Sequence, residues 1–392
     1  MLKSRLKKAA WAAFAIFAGA LIVIKPIKGR PCVNIYCWYG ALPQSVIEQF
    51  EAETGIHVHY DVFDNNEMLE AKLLASNSGY DVVMPTITPY GARQLHLRIY
   101  HKLDKSKLPA LRQIDPVLQD KIKDIDADMD YLLPYYWGTT GIAFDEDRLN
   151  AIIPDIPKDD TQLLFDINVV KKISPYGISL LQEPVDVFPC FLEYLGKNRN
   201  SRSLEDLWYA SQRLAEVSQY IRRFSSSRFV IDLVLGDVCV AQAWSGEALR
   251  AIDDARKIGR HIRYIIPKNG GDIWIDAIAI PIGAPHVNNA HAFINFLLRP
   301  DISAQITNQT QIATMVAEAK PLIKKEILTN TLIFPTHDTL KSLQISPVFT
   351  GQAAEAYERI RMRMWAQIKM LRPMDRDYFD TIVQKQCART RK

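Results

Sequence analysis

Residues 33–84 read VNIYCWYGALPQSVIEQFEAETGIHVHYDVFDNNEMLEAKLLASNSGYDVVM, and the order of apolar and polar segments in them predicts the architecture. The apolar-rich segments 33–38 and 56–62 predict strands, and the segments that follow them, 43–54 and 66–75, predict helices. A third apolar segment closes the stretch. Strand, helix, strand, helix, strand is typical of a mainly parallel sheet with helices on both faces.

The ends of these strands form a candidate binding site. In parallel α/β sheets, ligands bind beyond the carboxyl ends of the strands. That rule places Trp38, Tyr39, Thr86 and the segment 61–65 at the candidate site.

A second block of the chain begins at residues 134–141, which read PYYWGTTG. We predict that this aromatic segment is a strand crossing between two domains, and a length of 392 residues also fits two domains. Further elements are predicted as helices at 184–196, 203–216, 288–298 and 355–368 and as strands at 238–244, 262–267 and 273–281.

The composition is that of a globular chain, with 48% hydrophobic and 23% charged residues, which excludes a disordered or many-span membrane protein. The formal net charge of +4 is unevenly distributed. The first 30 residues contain seven basic residues and no acidic one, which leaves 41 basic against 44 acidic side chains in the remaining body. A nucleic-acid partner is therefore not expected.

The first 30 residues have the pattern of an export signal. A basic segment, Lys3–Lys8, precedes the uncharged run Ala9–Ile24. Sixteen residues fall short of the roughly 20 that cross a membrane as a helix, so a signal peptide and a periplasmic location are predicted. No clear small-x-small cleavage site follows the run, and an uncleaved N-terminal anchor remains the alternative.

Motifs for catalysis and for cofactors are absent from the sequence. GxGxxG, GxxxxGK[ST], HExxH and GxSxG do not occur, and the five cysteines include no CxxC pair. His57 and His59 share a strand face, but no third metal ligand is near them in sequence. We therefore expect no cofactor and no metal.

Tryptophans and carboxylates recur together at predicted strand ends and helix starts. The pairs are Trp244 with Glu247, Trp274 with Asp276, and Glu183 with Asp186 on either side of Pro184. Residues two apart on a strand point to the same face, so Trp274 and Asp276 are expected side by side. Carboxylates and aromatic faces suit a flexible ligand with ammonium ends and methylenes between them.

Longer stretches resemble the polyamine-binding (spermidine/putrescine) subunits of bacterial ABC importers over roughly residues 33–365. The matching stretches are IYCW (35–38), FEAETGI (50–56), YDVFDNNE (60–67), LDKSKL (103–108), PYYWGTTGI (134–142), GDVCV (236–240), WID (274–276) and FLLRPD (296–301). The resemblance implies capture of a polyamine and its delivery to an inner-membrane ABC permease, without enzymatic activity.

The fold implied by the resemblance is the two-lobed periplasmic binding protein fold of type II. Each lobe is expected to be a mainly parallel sheet flanked by helices, with the ligand cleft between the lobes. Residues 33–136 plus 266–322 are expected to form the first lobe, and 137–265 plus 323–392 the second. Residues 1–30 would be the signal or anchor.

The same resemblance implies nine ligand-binding residues: Trp38, Tyr39, Thr86, Glu183, Asp186, Trp244, Glu247, Trp274 and Asp276. Two departures from the family pattern bear on the ligand. Tyr39-Gly40 stands where the family has a hydroxyl residue followed by an acidic one, and Ala313 stands where an aromatic residue is common. A site that is larger and less acidic at one end makes agmatine or another guanidino compound an alternative ligand.

Two further readings differ in class. One is a membrane-anchored polyamine sensor, which retention of residues 1–30 would favour. The other is a hydrolase with a carboxylate acid/base pair, which no motif supports.

Overall fold

The computed structural model describes residues 30–75, 78–268, 271–346, 352–370, 379–380 and 383–384. The predicted signal therefore lies outside the described residues, apart from Arg30. Within the described ranges, no helix is both long enough and apolar enough to cross a membrane.

Eleven strands are found in the described part of the chain. They are β1 (Cys32–Trp38), β2 (His57–Phe63), β3 (Val82–Val83), β4 (Leu133–Asp145), β5 (Ile178–Leu180), β6 (Arg223–Phe224), β7 (Val240–Trp244), β8 (Ile262–Ile265), β9 (Asp272–Ile278), β10 (Ala313–Thr314) and β11 (Gln344–Ile345). The first three pair in parallel in the order β2-β1-β3, as the opening stretch of sequence predicts.

The α-helices cover the sheets. They are Gln44–Thr54, Asn66–Leu74, Ala92–His96, Pro116–Asp120, Lys123–Asp126, Glu146–Ile152, Gln162–Phe165, Ile167–Ile173, Pro184–Tyr194, Leu204–Ser218, Phe229–Leu235, Ser245–Lys257, Val287–Leu297, Pro300–Thr310, Lys325–Leu328, His337–Ser342 and Gln352–Lys369. The helix Gln44–Thr54 ends at Gly55, whose φ of 70° is left-handed and whose N–H donates to the Glu51 carbonyl. Glycine adopts this conformation at little cost, so the predicted end of this helix is confirmed.

The strand β4 joins the two halves of the molecule. Its 13 residues are all buried. Its first part pairs with β9 and β10, and its last part pairs with β7 and β8. The predicted crossover strand at 134–141 is therefore present and extends to Asp145.

Two hydrophobic cores lie on either side of this crossing. Along β4, the side chains of the first core end at Trp137 and those of the second core begin at Ile142. The chain returns to the first core between Ile265 in β8 and Ile273 in β9. Two cores joined by long strands are the physical basis of a two-lobed α/β fold.

The sheets are more mixed than the sequence predicts. The strands β1, β2 and β3 are parallel, and so are β5, β6 and β7, whereas β4 is antiparallel to every strand it contacts. Antiparallel pairing follows because β4 and β9 carry the chain between the lobes in opposite directions.

The predicted domain ranges remain a prediction, and the packing differs from them in one segment. Ile323, Ile333 and Leu343 pack into the first core, whereas the family resemblance predicts 323–392 in the second lobe. The long helix Gln352–Lys369 does pack against the second core, through Ile360 and other side chains. The segment 323–345 therefore packs with the first core.

Among the described residues, the cysteines form no disulfide, and cysteines and histidines form no metal site. Cys32, Cys37, Cys190 and Cys239 form no disulfide, and Cys387 lies outside the described ranges. His57 lies 2.6 Å from a Glu51 oxygen. The described residues contain no cluster of three or more His, Cys, Asp or Glu suited to a metal ion.

Candidate functional site

A cavity lies where the two cores meet and contains about 860 Å³ of space free of atoms, including solvent at its mouth. All nine residues implied by the sequence line it: Trp38, Tyr39, Thr86, Glu183, Asp186, Trp244, Glu247, Trp274 and Asp276. Their role in binding remains a prediction, but the chain does bring them to one place.

The strands supply the first set of these side chains. Trp38 is the last residue of β1, and Thr86 follows β3 by three residues. Trp274 and Asp276 alternate along β9 and so share one face of it. The segment 61–65 does not line the cavity, whereas the next residue, Asn66, does.

Helix starts supply the second set. Glu183 precedes the helix Pro184–Tyr194, and Asp186 lies in its first turn. Trp244 ends β7, and Glu247 lies in the first turn of the helix that follows. Carboxylates at helix starts face the positive end of the helix dipole, which favours their charged form.

The indoles form walls of the cavity. The rings of Trp38 and Trp244 meet edge to face with centroids 6.2 Å apart. The Trp274 indole lies against Gly138 of β4, where a Cβ atom would come within 2.3 Å of Cζ2. Only glycine leaves room for the ring there. The indole N–H groups of Trp38 and Trp274 are buried and have no hydrogen-bond acceptor within the described part of the chain.

Each of three carboxylates is held by a neutral hydroxyl group. Thr86 Oγ1 donates to Asp276 Oδ1 at 2.7 Å, and Thr140 Oγ1 donates to Asp186 Oδ1 at 3.1 Å. Ser226 Oγ donates to Glu183 Oε2. The serine run 225–227 thus supports a carboxylate through Ser226 and caps the next turn through Ser225.

Glu183 and Asp276 are buried and Asp186 is half-buried, and none of them has a salt-bridge partner in the described part of the chain. Glu183 is 6% exposed and Asp276 is 8% exposed. Among the described residues, neither they nor Asp186 nor Glu247 forms a salt bridge. Buried carboxylates are usually paired with a positive group, so the missing positive charge makes the cavity a candidate site for a cation.

The pKa values of these carboxyl groups reflect the same imbalance. Burial raises the pKa of Glu183 to about 8, and the negative charge of Asp186 adds to the rise. Burial raises the pKa of Asp276 to about 7 and that of Asp186 to about 6, while the hydroxyls of Thr86 and Thr140 oppose the shift. Burial also raises the pKa of Glu247. A bound cation would reverse these shifts.

Sequence reasoning missed several residues of the lining. They are Ala41, Asn66, Thr88, Tyr90, Tyr136, Thr140, Val185, Asp272, Ile273, Ile312 and Ser346. Asn66 positions Thr86, since its Nδ2 donates to Thr86 Oγ1 and its Oδ1 accepts from the Thr86 N–H, both at 3.1 Å. One signal was available: Asp272 lies on the same face of β9 as Trp274 and Asp276.

The two departures from the family pattern lie at one end of the cavity. Tyr39 is 64% exposed at the rim, and the guanidinium of Arg250 lies 5.9 Å from its ring centre. Ala313 pairs with Trp137 between β10 and β4, and its neighbour Ile312 lines the cavity. This end of the cavity therefore lacks a carboxylate from Gly40 and an aromatic ring from position 313.

Known proteins match this chain over most of its length. It is 34% identical over 355 residues to the putrescine-binding periplasmic protein SpuD of Pseudomonas aeruginosa, a match that covers 90% of this chain and 95% of that protein. It is 35% identical over 362 residues to the putrescine-binding periplasmic protein PotF of Escherichia coli, covering 90% and 96% respectively.

Solved structures agree with the fold. A putative spermidine/putrescine ABC transporter from Listeria monocytogenes superposes with a TM-score of 0.76 at 28% identity, over 87% of this chain and 99% of that one. The predicted type II periplasmic binding protein fold is confirmed.

The family assignment also decides between enzyme and binding protein. The family model for bacterial extracellular solute-binding proteins matches residues 39–304. The family consists of solute-binding proteins rather than enzymes, which confirms that part of the sequence prediction and removes the hydrolase alternative. The chain therefore belongs to the bacterial extracellular solute-binding proteins.

Proposed function

We propose that this protein captures a polyamine of the putrescine or spermidine type outside the cytoplasm and delivers it to an ABC importer. The observation that carries the proposal is a set of three carboxylates, the buried Glu183 and Asp276 and the half-buried Asp186, each held by a hydroxyl and none paired with a cation among the described residues. A ligand with several ammonium groups supplies the positive charge that the cavity lacks.

The aromatic walls support the same class of ligand. Methylene segments between the ammonium groups pack on indole faces, and an ammonium group over an indole gains about 2 kcal/mol when desolvated. Trp38, Trp244 and Trp274 provide three such faces. The relatives named for putrescine agree with this chemistry.

Closure of the lobes would couple binding to delivery. The cavity takes Trp38, Thr86 and Asp276 from elements around the first core, and Glu183 and Asp186 from elements around the second. A ligand that contacts both sets binds the closed form better than the open form and so shifts the equilibrium toward closure. The crossings near 136–142 and 265–271 are the natural hinges.

The partner and the location follow from the proposed role. The receiving partner would be an inner-membrane ABC permease, and the protein would work in the periplasm. The N-terminal segment 1–30 would direct export and, if it is not cleaved, would anchor the body to the membrane.

A thermal-shift panel tests the ligand class. Putrescine, spermidine, cadaverine and agmatine would be compared with 1,4-butanediol, which has the carbon chain of putrescine but no charge. We expect at least one amine to raise the unfolding temperature, because a ligand that binds only the folded state stabilises it, and we expect no effect from the diol. If none of the four amines raised the unfolding temperature, the ligand assignment would be refuted. If the diol raised it equally, the site would not recognise the charge of the ligand.

A further inference from the structure

Three side chains of β9 face the cavity in a row. Asp272, Trp274 and Asp276 alternate along the strand, and all three line the cavity. A strand rises about 3.3 Å per residue, so the two carboxylates at the ends of this row are separated by roughly 13 Å along the strand, with the indole between them.

One carboxylate oxygen of Asp272 accepts no hydrogen bond from the described residues. Its side chain is 3% exposed, and its Oδ1 accepts from Nη2 of Arg199. Its Oδ2 is buried and has no hydrogen-bond partner in the described part of the protein. Buried carboxylate oxygens are rarely left without a donor, so Oδ2 is a vacant acceptor in the wall of the cavity.

The arginine beside Asp272 does not neutralise its surroundings. Arg199 is shared, because Nη1 also lies 3.2 Å from Glu193 Oε2 and donates to the Gly271 carbonyl at 3.0 Å. One guanidinium between two carboxylates leaves a net negative charge. Burial raises the pKa of Asp272 to about 7, Arg199 opposes that rise, and the charge of Asp186 adds to it.

We propose that Asp272 is a further amine-binding carboxylate, and that the row Asp272, Trp274 and Asp276 selects a linear triamine over a short diamine. The inference rests on the proposed function and specifies its ligand. The terminal ammonium groups would lie at the two aspartates, and the inner amine would lie over the indole of Trp274.

Chain length supports the longer ligand. An extended chain advances about 1.2 Å per bond, as the 3.3 to 3.6 Å per residue of a polypeptide shows. The five bonds between the nitrogens of putrescine therefore span about 6 Å, and the nine bonds between the outer nitrogens of spermidine span about 11 Å. Only the longer ligand approaches the separation of the two aspartates.

The test compares Asp272→Asn with Asp276→Asn by isothermal titration of putrescine and spermidine. Asparagine keeps an oxygen that accepts from Arg199 and replaces the vacant acceptor by a donor, so this variant keeps the hydrogen bond to Arg199 and removes the negative charge. We expect Asp272→Asn to weaken spermidine binding tenfold or more and putrescine binding less than threefold. Asp276→Asn should weaken both ligands. Equal losses of both ligands in Asp272→Asn, or no loss of either, would refute the role of Asp272.

A second measurement needs no variant. Diamines with four to eight methylenes would be titrated into the wild-type protein, and affinity should rise toward 1,8-diaminooctane, whose nitrogens are as far apart as the outer nitrogens of spermidine. An optimum at four methylenes would refute the inference and leave the proposed function standing. Failure of every amine to bind would instead refute the proposed function itself.

Discussion

The hydroxyl of Thr86 donates a 2.7 Å hydrogen bond to Asp276 across the edge where β3 meets β9. The same hydroxyl accepts from Asn66, so its proton is committed to the carboxylate. A neutral donor stabilises the ionised carboxyl group without cancelling its charge. The charged form of Asp276 is thereby favoured, and no residue in the described part of the chain forms a salt bridge with it.

Replacing Thr86 by Val removes this donor and keeps the shape of the side chain. We expect polyamine affinity to fall roughly fivefold, about 1 kcal/mol, because less of the ligand-free Asp276 is ionised. The loss should be larger at pH 6 than at pH 8, where the carboxyl group ionises even without the hydroxyl. Isothermal titration at both pH values measures this loss of affinity. A loss of the same size at both pH values would show that Thr86 does not act by favouring the ionised form of Asp276.

The ligand-free protein should become less stable as pH rises through the range set by Asp276. Its pKa is about 7 when folded and about 3.9 when unfolded, so the folded state binds the proton more tightly. This contribution to stability is fully present below pH 4 and is lost as the pH rises toward 7 and above. Each unit of difference corresponds to about 1.4 kcal/mol.

The matched experiment follows the unfolding temperature of the wild-type protein and of Asp276→Asn from pH 5 to pH 8, without ligand. The variant should gain stability relative to the wild type as the pH rises, because it has no carboxyl group to ionise at this position. Asp120→Asn, which changes an exposed carboxylate, serves as the control and should track the wild type. A stability difference that does not change with pH would contradict the raised pKa.

Gly138 should be intolerant of any side chain. The Cβ of Gly138→Ala would meet the Trp274 ring at 2.3 Å and Ser245 Oγ at 2.6 Å, so the indole must move. We expect a loss of affinity of tenfold or more in titrations with spermidine. In a Trp274→Ala background the same glycine change should cost little further affinity, because the ring it displaces is gone. Additive losses in the two backgrounds would show that Gly138 acts independently of Trp274.

Local sequence patterns are enough to predict several strands and helices of the fold. The strands β1 and β2, the helix ending at Gly55 and the crossing strand β4 follow from short apolar segments and glycine, which are local properties of the chain. The pairing of β4 with β7, β8 and β9 depends on partners more than 90 residues away in the chain. Local sequence patterns therefore do not predict the antiparallel part of the sheets.

For a similar reason, the sequence predicts some residues of the site and not others. The two-residue spacing of Trp274 and Asp276 on one strand predicts that their side chains lie on the same face. Asn66 and Thr140 act through hydrogen bonds to Thr86 and Asp186, and such contacts between distant segments leave no pattern in the sequence. The assignment of 323–345 to the first core likewise depends on tertiary packing alone.

Isothermal titration of spermidine and putrescine into protein freed of bound ligand shows whether the carboxylates and indoles of the cavity bind a polyamine. We predict binding near micromolar affinity, about −8 kcal/mol, for at least one of the two. Trp274→Ala and Asp276→Asn should each weaken it tenfold or more without unfolding the protein. Absence of binding by the wild-type protein, or unchanged affinity in both variants, would show that these side chains do not form a polyamine site.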